Sequence, residues 1–173
     1  MNAFAGIEWL PPAGTTPDQL LYPLDRLQEQ LELSLATDDT ERLQRVQAQA
    51  RERLAELEAM VRAGSRSGVT RAIREYRSTL DAASHILGAT QDIELLRAHA
   101  EEILAQRYIV STDYQDLPRA TRGLVAPMMD AAGKHYERLV TRLPRRARDA
   151  LFFKEEEVRW SWDMALAADE QGL

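Results

Sequence analysis

The sequence predicts an all-α protein, an antiparallel helical bundle of five to six helices with an extended N-terminal arm. Three observations carry this. Apolar residues recur at three- and four-residue steps along most of the 173-residue chain. Prolines, glycines and short polar clusters interrupt those runs at helix-length intervals. No stretch alternates apolar and polar residues as a half-buried strand does, and neither a glycine-rich loop nor a short-period repeat is present.

Residues 1–16 read as the arm, punctuated by Pro11, Pro12, Gly14 and the Thr15–Thr16 pair, with Phe4, Ile7, Trp9 and Leu10 available to lie on a surface. Residues 17–173 then form a single helical domain. Thr16-Pro17-Asp18 resembles a helix start, with Thr at the N-cap and Pro at the first helical position. Leu24, Leu27, Leu31 and Leu35 form one apolar stripe, and Pro23 sits near the start of that helix, where a missing N–H costs little and a short preceding turn is bent aside. Thr37-Asp38-Asp39-Thr40 stops it and caps the next helix, whose inner face is Leu43, Val46, Ala50, Leu54, Leu57 and Val61. Its outer face carries the i,i+4 pairs Glu41–Arg45 and Glu58–Arg62. After "GSRSG" (64–68), Val69, Ile73, Tyr76, Leu80, Ala83 and Leu87 step 4,3,4,3,4, as in antiparallel left-handed packing.

Gly88 ends that helix and Thr90 is a candidate cap for a fourth, which contains Ile93, Leu96, Ala100, Ile103 and Leu104. Its end is open to two readings, because the β-branched and aromatic "YIVSTDY" (108–114) fits a loop or a short extended piece. Leu117-Pro118 opens a fifth segment that meets Pro127 and Gly133, so a kinked or split helix is expected there. Pro144 opens the last helix.

Composition bounds the chemistry. With 45 % hydrophobic and 29 % charged residues the chain is an ordinary globular one. A net charge of -6 argues against nucleic acid as the main partner, since phosphate binding needs a concentrated positive field. The absence of cysteine excludes disulfides, thiol nucleophiles and cysteine-based zinc sites. The opening residues lack a basic n-region and an unbroken apolar run, so they are not expected to act as a signal peptide, and no apolar run is long enough for membrane insertion.

Candidate sites are few. Of the three histidines, His99 and His135 fall on apolar faces, with Glu102 one turn beyond His99, while His85 has Asp81 four residues back. A helical di-metal centre uses Glu-x-x-His on two helices, and the residues three before the histidines are Ala82, Leu96 and Ala132. His99, Glu102 and His135 therefore stand only as an alternative metal or small-ligand set, and the expectation is no metal and no cofactor. Serines lack a nucleophile-elbow setting and no carboxylate pair is singled out, so catalytic residues are not expected. The most unusual surface is "PRRARDALFFKEEEVRWSWDM". Arg145, Arg146 and Arg148 crowd a helix N-terminus, where positive charge opposes the dipole and calls for an acidic or anionic partner. Trp160 and Trp162 lie roughly 200° apart on a helix, so one is buried while the other packs under the arm or marks an interface, with burial under the arm favoured.

The stretch "TTPDQLLYPLDRLQEQLELSLATDDTERLQRVQAQARERLAELEAM", followed by "AIREYRSTLDAA", resembles the DUF5667 family of helical domains over residues 15–87. The resemblance rests on Leu21, Tyr22, Pro23, Leu24 and Arg26, then Arg53, Leu54, Glu56 and Leu57, then Tyr76 and Leu80, and Asp25 stands where the family usually has Lys or Arg. It implies a three-helix part at 17–87, with 88–173 a helical extension. It also implies a bacterial, extracytoplasmic or cell-envelope setting, at times near sigma-factor regulation. The reading that follows is a non-catalytic binding module with a protein partner or self-association. Its interaction surface would include Tyr22 and Pro23, or Arg145, Arg146, Arg148, Trp160 and Trp162.

Overall fold

The computed structural model describes residues 3–4, 10–16, 19 and 22–170, without the side chains at 23, 25, 30, 32 and 33. Seven α-helices and no strand occur among them: α1 (Tyr22–Leu35), α2 (Asp39–Arg62), α3 (Arg66–Leu87), α4 (Ile93–Asp113), α5 (Arg119–Val140), α6 (Arg145–Asp149) and α7 (Phe152–Glu170). None of these helices is long and apolar enough to cross a membrane. The chain divides into two compact units. The first comprises Leu10–Thr90 with Gly123–Met128, and the second comprises Met1–Trp9, Gln91–Arg122 and Met129–Leu173.

In the first unit α1 begins at Tyr22, which places Pro23 in the first turn, where no intrahelical partner is lost. The Pro17–Asp18 start lies outside the described residues. The α2 start is a reciprocal cap. Asp38 accepts from the Glu41 N–H at 2.8 Å, and Glu41 accepts in return from the Thr37 N–H at 2.8 Å. These bonds, the Thr37 N–H first, hold the Glu41 carboxyl down to about 2. The α2–α3 corner uses Gly64 at φ 65°. Ser65 caps α3 by accepting from the Gly68 N–H at 3.2 Å. The expected faces meet here: Leu43, Val46, Ala50, Leu54 and Leu57 of α2 and Val69, Tyr76, Leu80, Ala83 and Leu87 of α3 are all buried, while Val61 and Ile73 are half-buried.

In the second unit the cap of α4 is Asp92, not Thr90, and its carboxylate accepts from the N–H groups of Glu94 and Leu95 at 2.9 and 3.1 Å. The "YIVSTDY" stretch continues α4 and ends in a 3-10 turn at Tyr114–Asp116. Burial of Ile109, Val110 and Tyr114 outweighs β-propensity, and the Ser111 and Thr112 hydroxyls donate back to the Tyr108 and Ile109 carbonyls at 2.8 Å each. α5 runs on through Pro127 as one helix instead of splitting. Pro127 and Gly123 are both exposed, so the break in the helix ladder falls on the solvent side, where a missing donor costs least. The last segment divides into α6 and α7, separated by Ala150 and the fully buried Leu151.

Within this unit α5 runs antiparallel to α4, and α7 runs parallel to α4. Glu101 meets Lys154 at 3.5 Å, Ser111 meets Ser161 at 2.7 Å, and Tyr114 packs edge-on to Trp162 at 4.8 Å. Arg122 ties the far end, donating to Asp169 at 2.7 Å and to the Leu117 and Gln115 carbonyls at 2.9 Å each. The start of the arm joins here too: Phe4 stacks on Tyr108 at 4.5 Å, and the Ala3 N–H donates to Glu157 at 2.5 Å. Ile7 and Trp9 lie outside the described residues.

Candidate interaction surfaces

α1 has the expected amphipathic period, but its leucine stripe faces away from the core. Leu24, Leu27, Leu31 and Leu35 are 52 to 73 % exposed. The opposite face goes inward with Tyr22, Arg26 and Glu29, which lie within about 60° of one another on a 100°-per-residue wheel.

What holds that polar face is one cation on α2. Arg53 is fully buried, pairs with Glu29 of α1 and with Glu56 one turn along α2 at 2.6 Å, and donates to the Tyr22 hydroxyl at 2.9 Å. Arg26 pairs with Glu29 and reaches Glu75 of α3 at 2.8 Å. Burial works against the Arg53 charge, but the Glu56 and Glu29 carboxylates outweigh it and raise its pKa. Glu56 is itself fully buried, and desolvation lifts its carboxyl to about 7 against the pull of Arg53. One guanidinium shared among Glu29, Glu56 and, at 3.5 Å, Glu52 cannot fully offset them all. Arg53 Nε and Glu56 Oε2 are buried without a hydrogen-bond partner. Tyr22 is thus a buried anchor, so it drops out of the expected interaction surface, and the side chain of Pro23 lies outside the described residues.

On the second unit, Arg145, Arg146 and Arg148 are exposed. Because α6 is a single turn with Arg146 and Arg148 at its end, the expected dipole penalty does not arise. Arg146 lines an open groove of about 420 Å³ with Ile93, Glu94, Arg97, Pro144, Ala147 and Ala150. Of the two tryptophans, Trp162 is buried against Tyr114 and leaves the expected interaction surface, whereas Trp160 is 67 % exposed instead of covered by the arm. Sequence reasoning missed its neighbours. Phe152, Phe153 and Met164 are also more than half exposed, and Phe153, Trp160 and Met164 share one face of α7 at i, i+7, i+11. That spacing is visible in the sequence once Trp162, not Trp160, is taken as the inward residue.

The structure brings His99 and His135 together, with Nε2 to Nε2 at 3.0 Å and both rings buried. Burial first, then the neighbouring His135, lowers the His99 pKa to about 3, so His99 is a neutral imidazole at pH 7. Glu102 accepts from Gln106 at 2.8 Å. No group of three or more His, Asp or Glu placed to hold a metal ion occurs among the described residues, and His85 and Asp81 are both exposed.

Fold and surfaces together define an all-helical protein with exposed apolar helix faces. Residues 14–115 match the family described as Domain of unknown function (DUF5667), and the chain belongs to it. The match extends past the expected 15–87 to include α4. No curated protein and no solved structure matches the chain. The residues that carried the resemblance meet in space: Tyr22, Arg26, Arg53 and Glu56 all belong to the buried network around α1.

Proposed function

We propose that the chain is a non-catalytic helical interaction module, of a cell-envelope or regulatory type, that binds a protein partner through the outer faces of α1 and α7. The observation supporting this is the distribution of exposed apolar bulk. Leu24, Leu27, Leu31, Leu35, Phe152, Phe153, Trp160 and Met164 are the large apolar side chains exposed among the described residues, and all lie on those two helices. Scattered exposure is ordinary, whereas stripes confined to two helix faces mark places where another surface sits. The test is photo-crosslinking from a benzophenone amino acid placed at Leu31, at Trp160 and, as control, at Arg62, which is 71 % exposed on a polar face. Protein adducts at the first two positions and not at the third are expected. Equal labelling at all three overturns the proposal.

A second reading, a metal or small-ligand site, draws on the His99–His135 contact. Elemental analysis tests it: stoichiometric metal retained by the wild type and lost in His135→Phe would establish it, and its absence would remove it.

A further inference from the structure

The two apolar faces differ in their surroundings in a way that identifies an occupant. Each stripe covers twelve residues, Leu24 to Leu35 and Phe153 to Met164, and its eleven steps make about 16 Å of helix in both cases. The flank following the α1 stripe is acidic, with Asp38 and Asp39 exposed and Glu41 half-buried before the first basic residue at Arg42. The flank preceding the α7 stripe is basic. From Arg138 to Phe152 five arginines stand against a single acid, Asp149, in a chain whose net charge is -6, and the acids Glu155, Glu156 and Glu157 come only inside the stripe.

Laid antiparallel, the two stripes bring the acidic end of α1 to the arginines before α7. Laid parallel, they bring it instead to the Asp163, Asp169 and Glu170 end of α7, where like charges meet. Antiparallel pairing also aligns the helix dipoles favourably.

We infer that the occupant of each face is a second copy of this chain: the leucine face of α1 in one copy docks antiparallel on the Phe153–Trp160–Met164 face of α7 in another. The contact is heterologous, so it closes into a ring or dimer when reciprocated and extends into a chain when not. This rests on the reading of α1 and α7 as partner-binding faces and names their partner.

Sedimentation velocity over a hundredfold concentration range tests it, using wild type, Leu27→Glu/Leu31→Glu and Phe153→Glu/Trp160→Glu. All four positions are exposed, so each variant keeps its helical circular dichroism. The wild type gains mass with concentration, and each variant alone shifts that association at least tenfold toward monomer. An equimolar mixture of the two variants regains it, since one intact α1 face then meets one intact α7 face. Arg145→Glu/Arg148→Glu, or about 1 M salt, weakens the wild-type association about tenfold. A wild type that stays monomeric throughout, a mixture that fails to recover, or an α7 variant that associates like wild type (pairing of α1 with α1) overturns the inference. If the wild type is monomeric while crosslinks at Leu31 and Trp160 lead to a different protein, the inference fails and the interaction-module reading does not.

Discussion

Replacing Arg53 by methionine tests whether a buried charge network, not apolar packing, holds α1. The guanidinium is fully buried and serves Glu29, Glu56 and Tyr22 at once. Removing one partner of a buried pair strands the others, and such losses run to about 3–5 kcal/mol. That magnitude applies at pH 8, where the Glu56 carboxyl, held up to about 7, is ionised. At pH 5 Glu56 is protonated in the folded protein and no longer needs the cation, so only the Glu29 and Tyr22 contacts are lost, worth roughly 1–3 kcal/mol. The expected outcome in urea unfolding is therefore an Arg53→Met penalty about 1 kcal/mol larger at pH 8 than at pH 5, since the wild type gains from ionising Glu56 only above about 7. Hydrogen exchange should show faster opening of the α1 amides in the variant, with α3 unchanged. Combining Arg53→Met with Glu29→Leu and Glu56→Leu should recover most of the loss, because a well-packed apolar replacement of a buried pair is neutral or better. A penalty under about 1 kcal/mol at pH 8, or one equal at the two pH values, would refute the reasoning.

Three further outcomes are expected. The His99 pKa is lowered to about 3, so the folded state binds fewer protons than the unfolded one and stability is lost as pH falls below about 6.5. Between pH 6.5 and 5 the wild type should lose about 2 kcal/mol relative to His99→Gln, read as the difference of their unfolding curves at each pH. Arg122→Ala removes the bonds to Asp169 and to the Leu117 and Gln115 carbonyls. A loss of about 2 kcal/mol is expected, with exchange quickening first at the end of α7. In a Trp9→Phe background, acrylamide should quench Trp160 readily in Trp162→Phe and quench Trp162 poorly in Trp160→Phe; similar quenching in the two variants would contradict the assigned burial.

The sequence made the helical period legible almost everywhere and the facing direction legible only where apolar residues also form the core. In α2 and α3 the expected stripes are the buried ones, because hydrophobic burial decides both period and direction there. In α1 the stripe was legible and its direction was not. Direction is set by Arg53, twenty-four residues beyond Glu29 and thirty-one beyond Tyr22, a separation that no local pattern registers. The same limit applied to the histidines: each could be placed on an apolar face, but their contact spans thirty-six residues. The turn at Leu151, which separates α6 from α7, carries neither Gly nor Pro, so nothing in the local chemistry announced it.

The reversed orientation of α1 follows from comparing the two ways it could roll. Burying a leucine fully is worth about 1.5–3 kcal/mol, so four leucines more than half exposed leave roughly 4–6 kcal/mol ungained. Turning them inward would send Arg26 and Glu29 to solvent and leave Arg53 with Glu56 and the more distant Glu52 of its own helix, at a cost of about 3–5 kcal/mol for the broken Arg53–Glu29 pair alone. The lost Tyr22 hydrogen bond and the Arg26–Glu75 bridge add roughly 1–3 kcal/mol more. The two orientations are therefore of similar energy, and the polar network tips the balance toward leucines outside. A partner that covers those leucines gains the unspent burial without disturbing Arg53. A partner absent, the same near-balance means that weakening Arg53 should favour the rolled state, in which the docking face disappears into the core. Loss of association in Arg53→Met, at a pH where the variant remains folded, is the consequence that links the buried Arg53 network to the surface α1 presents.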